Sequence, residues 1–460
     1  MTSEQQYIDL FKSQQAVINN HSAGVINAQR SKAFEDFCRI GFPSMKVERY
    51  KYTDIQKLFA PDYGLNLNRI HIPVNPFEVF RCDVPNITNR PYFVVNDTLY
   101  DEGTIKNDKS QLDETKDIDI ENSDFTVCSL SEIAANKPEF IEKYYAKIAH
   151  TEHDGITALN TMLAQEGLFI YIPRGKQIED TIQVINILRS DVDMMINRRV
   201  IIVVEEGAAA KLLFCDHAAD DRNFLTTQVI EVFVGERASL ELYCMEETHY
   251  KNVRISNLYI EQQKDSHLSH HSLTLHNGTT RNRTDLTFRG EGAECVLNGC
   301  VIADREQHID NNILIDHKVP NCTSNELYKY VLDEKAVGAF AGRVLVEKGA
   351  DKTSSQETNQ NLLTTDTARM FTQPELEIYA DDVKCAHGST VGQLDDAALF
   401  YMRQRGISLK EAKLLLQTAF VGEIIDKIML PSLRDRLRFL VDKRFRGELN
   451  KCAGCKMCAS

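Results

Sequence analysis

Gln228-Val-Ile-Glu-Val-Phe-Val234, then Gly235-Glu236-Arg237, then Ser239-Leu-Glu-Leu-Tyr243: two strand-like runs on either side of a three-residue turn. β-Branched and aromatic residues dominate both runs, and glycine with charged residues marks the break between them. Leu168-Phe-Ile-Tyr-Ile172 and Val200-Ile-Ile-Val-Val204 repeat the theme upstream. Turns at Glu206-Gly207-Ala208, Lys264-Asp265-Ser266 and Gly290-Glu291-Gly292 continue it. Their spacing of roughly 28 residues is the mark of stacked coils. A β-sandwich competes, but it spans nearer to about 100 residues. The pattern predicts a mainly β chain whose core is a solenoid, each coil burying its inward row on its neighbours.

Outward from this core the ends read as helical. Ser3 with Gln6 suggests a capping box ahead of Leu10, Phe11, Val17 and Ile18. A second helix carries Ala33, Phe34, Phe37 and Ile40 and stops at Gly41, with Pro43 beyond. A further helix is expected from Ser129 to Ile148, and helical periodicity then vanishes from about Asp154. It returns at Asp395–Gln404. Ser408-Leu-Lys-Glu411 is a capping box opening a long helix with Ala412, Leu415, Leu416, Ala419, Phe420 and Ile424 on its apolar face. Pro431 starts a last helix rich in Leu433, Leu437, Leu440 and Val441. The expected division is a helical and mixed region over 1–153, a solenoid over 154–394, a helical domain over 395–450 and a cysteine-rich tail over 451–460.

Composition narrows the function. The 460 residues, 43% hydrophobic and 26% charged, describe a soluble globular chain. Its formal charge of −14 argues against a nucleic-acid partner, which needs a Lys/Arg surplus. No apolar run reaches the roughly 18–20 residues of a membrane helix, and the start lacks a secretory signal, so a cytoplasmic location is expected. Twelve cysteines in a reducing compartment read as free thiols or ligands.

Chemistry concentrates in Pro374-Glu-Leu-Glu-Ile-Tyr-Ala-Asp-Asp-Val-Lys-Cys385-Ala-His387-Gly-Ser-Thr-Val-Gly392. On a strand, Cys385 and His387 project from one face, and thiolate and imidazole are ligands for iron, iron–sulfur clusters or zinc. Two ligands are fewer than the about four that a cluster takes, so the others come from elsewhere, such as another chain. The tail offers Cys452, Cys455 and Cys458 at Cys-x-x-Cys-x-x-Cys spacing, either a metal site short of one ligand or a segment with no fixed role. His267, His270, His271, His276 and His249 are read as a polar strand row rather than a zinc site. His308 with Asp310, and Asp316 with His317, could serve acid–base chemistry but lack a nucleophile motif, which favours strand hydrogen bonding. Gly349-Ala-Asp-Lys352-Thr353 ends like a phosphate loop without its glycines, so no nucleotide hydrolysis is expected.

The run Pro374 to Gly392 closely resembles the signature of the SufB/SufD family of the SUF iron–sulfur cluster assembly system, in its SufD branch. Also similar are His308-Ile-Asp310, Asp316-His317-Lys-Val-Pro320-Asn321, Ser324-Asn-Glu-Leu-Tyr-Lys-Tyr-Val331, Phe340-Ala-Gly-Arg-Val344, Gln356-Glu-Thr-Asn359-Gln-Asn-Leu-Leu363 and Phe400-Tyr-Met-Arg-Gln-Arg-Gly406. Glu48-Arg-Tyr50-Lys51-Tyr52-Thr53 resembles a motif that carries Trp where Tyr50 stands. The resemblance implies a right-handed parallel β-helix between helical ends, and a complex with SufB and the SufC ATPase, the latter docking on the C-terminal helices. It implies a homodimer in isolation, a non-catalytic scaffold role, and a part for His387, with Cys385 beside it, in cluster assembly at the SufB interface. No tightly bound cofactor is then expected in the isolated chain, only iron or a cluster held transiently between subunits. No flavin motif is visible, which leaves flavin open, and the tail has no counterpart in the SufD pattern. Two rival readings are a β-helical polysaccharide lyase and a purely structural adaptor.

Overall fold

The computed structural model describes residues 3–76, 91–100, 118–120 and 123–448. Consecutive strands alternate between two sheets, and each sheet pairs a strand with the one a full coil later. One sheet runs from Val383–Gly392 through Thr353–Leu363, Thr323–Leu332, Glu294–Ala303, His267–His276, Ser239–Glu247 and Ala209–Ala218 to Gln177–Leu188. The other runs from Arg369–Ile378 through Val337–Val346, His308–His317, Thr279–Phe288, Val253–Gln262 and Phe224–Val234 to Met194–Val204 and Leu168–Ile172. Pairing along both stacks is parallel, giving a solenoid of about eight coils. The expected strands lie at or inside these limits, and Leu168–Ile172 matches end to end.

The repeating turns have a physical cause. Gly207, Arg237, Asp265 and Gly292 each adopt a positive φ, the bend that turns one wall into the other. Their amides stack from coil to coil: Gly207 N donates to Glu236 O at 2.8 Å, Arg237 N to Lys264 O at 2.8 Å, and Asp265 N to Glu291 O at 2.9 Å. The periodicity of the sequence is thus the period of one hydrogen-bonded ladder.

Three apolar layers follow. The lumen holds Ile170, Ile202, Val232, Leu242, Leu297, Ile315, Tyr330 and Phe340. The outer face of the first sheet meets the C-terminal helices Leu409–Asp426 and Pro431–Phe445 through Leu213, Tyr243, Leu273, Cys300 and Leu327. N-terminal helices Ser3–Asn20 and Arg30–Ile40 cover the second sheet through Met195, Leu225 and Ile255. Strands covered on both faces need no polar alternation, which is why their sequences read as continuous apolar runs.

Several helical expectations are corrected. Gln6 does not close a capping box; its amide reaches Phe59 O at 2.5 Å. The segment expected as one helix from Ser129 breaks into Leu130–Asn136 and Pro138–Ile141, because Pro138 has no N–H for a continuing ladder. Helical structure does not end near Asp154: Gly155–Leu163 is a helix capped by Asp154, which accepts from Thr157 N at 2.8 Å. All nine of its residues are buried, so it has no amphipathic signature. On Leu409–Asp426 the buried residues are Ala412, Leu414, Val421, Ile424 and Ile425, while Leu415 and Ala419 are exposed. Packing against both the solenoid wall and Pro431–Phe445 turns the stripe away from the one expected.

Candidate functional site

The solenoid's C-terminal end is where Cys385 and His387 stand. Strand Val383–Gly392 is the last of its sheet and pairs on one side only, with Thr353–Leu363. The register puts Cys385 beside Ser355, His387 beside Glu357 and Ser389 beside Asn359. Side chains of alternate residues share a face, so the cysteine and the histidine do project together, as the sequence spacing predicts.

That face looks along the lumen. Cys385 packs with Val344, Val346 and Leu376, and Ser389 Oγ lies 2.7 Å from Thr372 Oγ1 on the opposite wall. Among the described residues no coil follows, so the row opens outward. His387, Gly388 and Thr390 are exposed and Cys385 is half-buried. Burial raises the Cys385 thiol pKa, opposed in part by a backbone hydrogen bond from Ser355. Burial thus opposes ionisation of this thiol.

Behind the pair the lumen turns polar. Ser324 Oγ donates to Ser355 Oγ at 2.8 Å, and His317 Nε2 lies 3.0 Å from Ser324 Oγ. Asn361 Nδ2 donates to Asn359 Oδ1 at 2.6 Å and to Thr390 O at 2.9 Å, tying the last strand to the coil beneath. In the next column Glu326, Glu357 and His387 follow one another across three adjacent strands. The sequence reading missed Ser355, Glu357 and Asn359. One period of this coil, subtracted from 385, 387 and 389, would have found them.

Other candidates are scattered. Thr53 Oγ1 donates to Asp310 Oδ2 at 2.6 Å and lies 3.0 Å from His308 Nε2, so that pair fastens the N-terminal segment to the wall. Asp316 pairs with Lys318 at 3.2 Å, apart from the His317–Ser324 contact. His271 stacks on Tyr243 at 5.1 Å under the C-terminal helices, while His270 is buried on the opposite face and His267 is exposed beside Glu294. Tyr50, in place of the expected Trp, lies under the Arg281 guanidinium at 3.8 Å. Among the described residues no three His, Cys, Asp or Glu side chains are placed to hold a metal ion. Cys452, Cys455 and Cys458 lie outside the described residues.

Comparison with known proteins adds an independent finding. Residues 186–420 match the family described as "SUF system FeS cluster assembly, SufBD core domain", and residues 1–184 match "SufBD protein N-terminal region". An iron–sulfur cluster assembly SufBD family protein of Synechocystis is 27% identical over 450 residues, covering 94% of each chain. The iron–sulfur cluster assembly protein SufD of Escherichia coli is 27% identical over 305 residues, 63% of this chain and 69% of its own. SufD of Bacillus subtilis is 23% identical over 320 residues, 68% of this chain and 72% of its own.

Proposed function

Because this chain belongs to the SufBD family of SUF iron–sulfur cluster assembly, we propose that it is a SufD-like scaffold subunit that shares a cluster-building site with a second subunit. The observation that carries this reading is the placement of Cys385 and His387 on one face of an uncapped terminal strand. A thiol and an imidazole at an open end supply part of a coordination sphere, and a facing chain is needed to complete it. On this reading the second chain is SufB, or a second copy of this chain in a homodimer. Iron and sulfide are cargo rather than resident cofactors.

The scaffold itself is non-catalytic. Nucleotide energy comes from a SufC-type ATPase docked on the C-terminal helices, where Phe400, Tyr401, Leu409 and Met429 are exposed. Among the described residues no helix is long and apolar enough to cross a membrane, which is compatible with assembly in the cytoplasm.

The test is His387→Ala in the purified complex of this chain with its SufB and SufC partners. Complex formation and the circular dichroism spectrum should match wild type. Cluster build-up, followed by iron and sulfide content and visible absorbance, should be abolished. A fully active variant would remove His387 from the site and with it the reading.

A further inference from the structure

Several buried or nearly buried carboxylates in this fold pair with guanidinium groups. Glu231 has Arg199 at 2.5 Å, Asp216 has Arg198 at 2.8 Å and Arg254 at 3.1 Å, and Asp285 has Arg49 at 2.6 Å. Glu326 and Glu357 break the pattern. They are 3% and 0% exposed, yet none of their four carboxyl oxygens has a hydrogen-bond partner, and among the described residues neither forms an ion pair. They are register partners on adjacent parallel strands, on the lumen side, about 4.8 Å apart along the sheet.

The lumen is shaped around them. On the facing strand Val337–Val346, position 342 is glycine, and a Cβ there would collide with Glu357 Oε1. The carboxyl therefore reaches the opposite wall through space that any other residue would fill. Burial raises the pKa of both acids, with Glu357 adding to the effect on Glu326 and Glu375 to that on Glu357. Two unpartnered carboxylates this deep are costly as anions unless a cation lies between them.

We propose that Glu326 and Glu357 form a divalent-cation site inside the open end of the solenoid, Glu357 one coil and Glu326 two coils behind Cys385 and His387. Hard divalent ions accept one or two carboxylates and keep water in their remaining positions, so two protein ligands suffice. His387, the register neighbour of Glu357, is exposed at the uncapped end, the side from which an ion would enter. That the natural ion is ferrous iron waiting behind the assembly site rests on the function proposed above; the site itself does not.

Mn2+ is the probe, because it favours carboxylate oxygen over thiolate and so avoids the cysteines of the tail. The full chain is titrated under anaerobic conditions, with free Mn2+ read by electron paramagnetic resonance. One saturable site is expected. Glu326→Gln and Glu357→Gln should each weaken it by at least about tenfold, and the double variant should abolish it. Gly342→Ala should also weaken binding, because its methyl takes the space of the carboxyl, whereas His387→Ala should retain it. Glutamine is isosteric and removes buried charge, so unchanged circular dichroism will separate lost binding from lost fold. Absence of a saturable site, or binding unchanged in the double variant, overturns the proposal. If Mn2+ binds while His387→Ala stays active in cluster assembly, the cation site stands and the functional reading falls. If Mn2+ fails to bind while His387→Ala is inactive, the reverse holds.

Discussion

Arg199 and Glu231 form a salt bridge at zero exposure, 2.5 Å apart. Glu231 also accepts from Ala146 N at 2.9 Å, Ile148 N at 3.0 Å and Ala149 N at 3.1 Å, so one carboxylate anchors the loop before Gly155–Leu163 to the solenoid wall. Glu231→Ala should cost about 3–5 kcal/mol in urea unfolding, because Arg199 is left buried without a partner. In Gln228-Val-Ile-Glu-Val, the glutamate reads as an outward polar residue; nothing in one sequence tells that a loop will cover it. A second buried acid has a pH signature. Burial pushes Glu246 up to about 7, opposed by Arg254. The unfolded chain releases that proton near 4.3, so the folded state holds an extra proton between these values. Its contribution is full below the unfolded pKa and is lost as pH rises through 7, by up to about 1.4 kcal/mol per pH unit. The drop in unfolding midpoint from pH 5 to pH 7.5 should be smaller in Glu246→Gln than in wild type, the remainder coming from other buried acids such as Glu247 and Glu357.

Elements differ in how far local sequence specifies them. The early strands were legible because Leu168–Ile172, Met194–Val204, Phe224–Val234 and Ser239–Glu247 repeat an apolar run and a turn at one period, whereas polar strands such as Thr279–Phe288 and Thr353–Leu363 show no such run. Capping was legible where it is local: Ser408 accepts from Glu411 N at 3.2 Å, and Pro431 opens its helix, both as the sequence indicates. Gly155–Leu163 was hidden by its burial on every side, and the exposed Leu415 by an assumed single packing partner. The site was half legible, since i and i+2 spacing placed Cys385 and His387 together but said nothing of Glu357 one coil away. Long-range fastening was not legible at all. Arg444 Nε donates to Leu275 O at 2.7 Å, Nη1 to Asp304 Oδ2 at 2.5 Å and Nη2 to Gln307 Oε1 at 2.9 Å, clamping Pro431–Phe445 to the wall. Arg444→Met keeps the apolar stem and removes the clamp, and should cost about 1.5–3 kcal/mol. Hydrogen exchange should quicken in Leu409–Asp426 and Pro431–Phe445 and stay unchanged in Leu168–Ile172 and Met194–Val204. Equal loosening of those strands would mean that the helices and the solenoid unfold as one unit.

At the scale of the whole molecule the two ends of the solenoid are treated differently. The first coils are closed by antiparallel Thr126–Ser129 and by the Tyr92–Val95 and Thr98–Leu99 pair, and N-terminal helices cover the adjoining wall. The last coil, Arg369–Ile378 with Val383–Gly392, is the edge of both sheets and among the described residues has no strand beyond it. Exposed edges invite pairing with another chain unless they are blunted. Here Tyr379 at 59% and Val391 at 48% exposure present apolar surface beside Cys385 and His387. If this end is the seam with a second subunit, charge placed on it will disrupt assembly without touching the fold. Tyr379→Lys with Val391→Lys should leave thermal stability nearly unchanged, since exposed substitutions usually shift it within about 0.5 kcal/mol. If wild type self-associates through this end, light scattering should find the variant monomeric, and co-purification with a SufB-type partner should fall sharply. Cluster build-up should fail along with it, although Cys385 and His387 remain in place. Retention of wild-type assembly by this variant would move the subunit seam elsewhere on the solenoid and leave the Cys385–His387 pair without a chain to complete it.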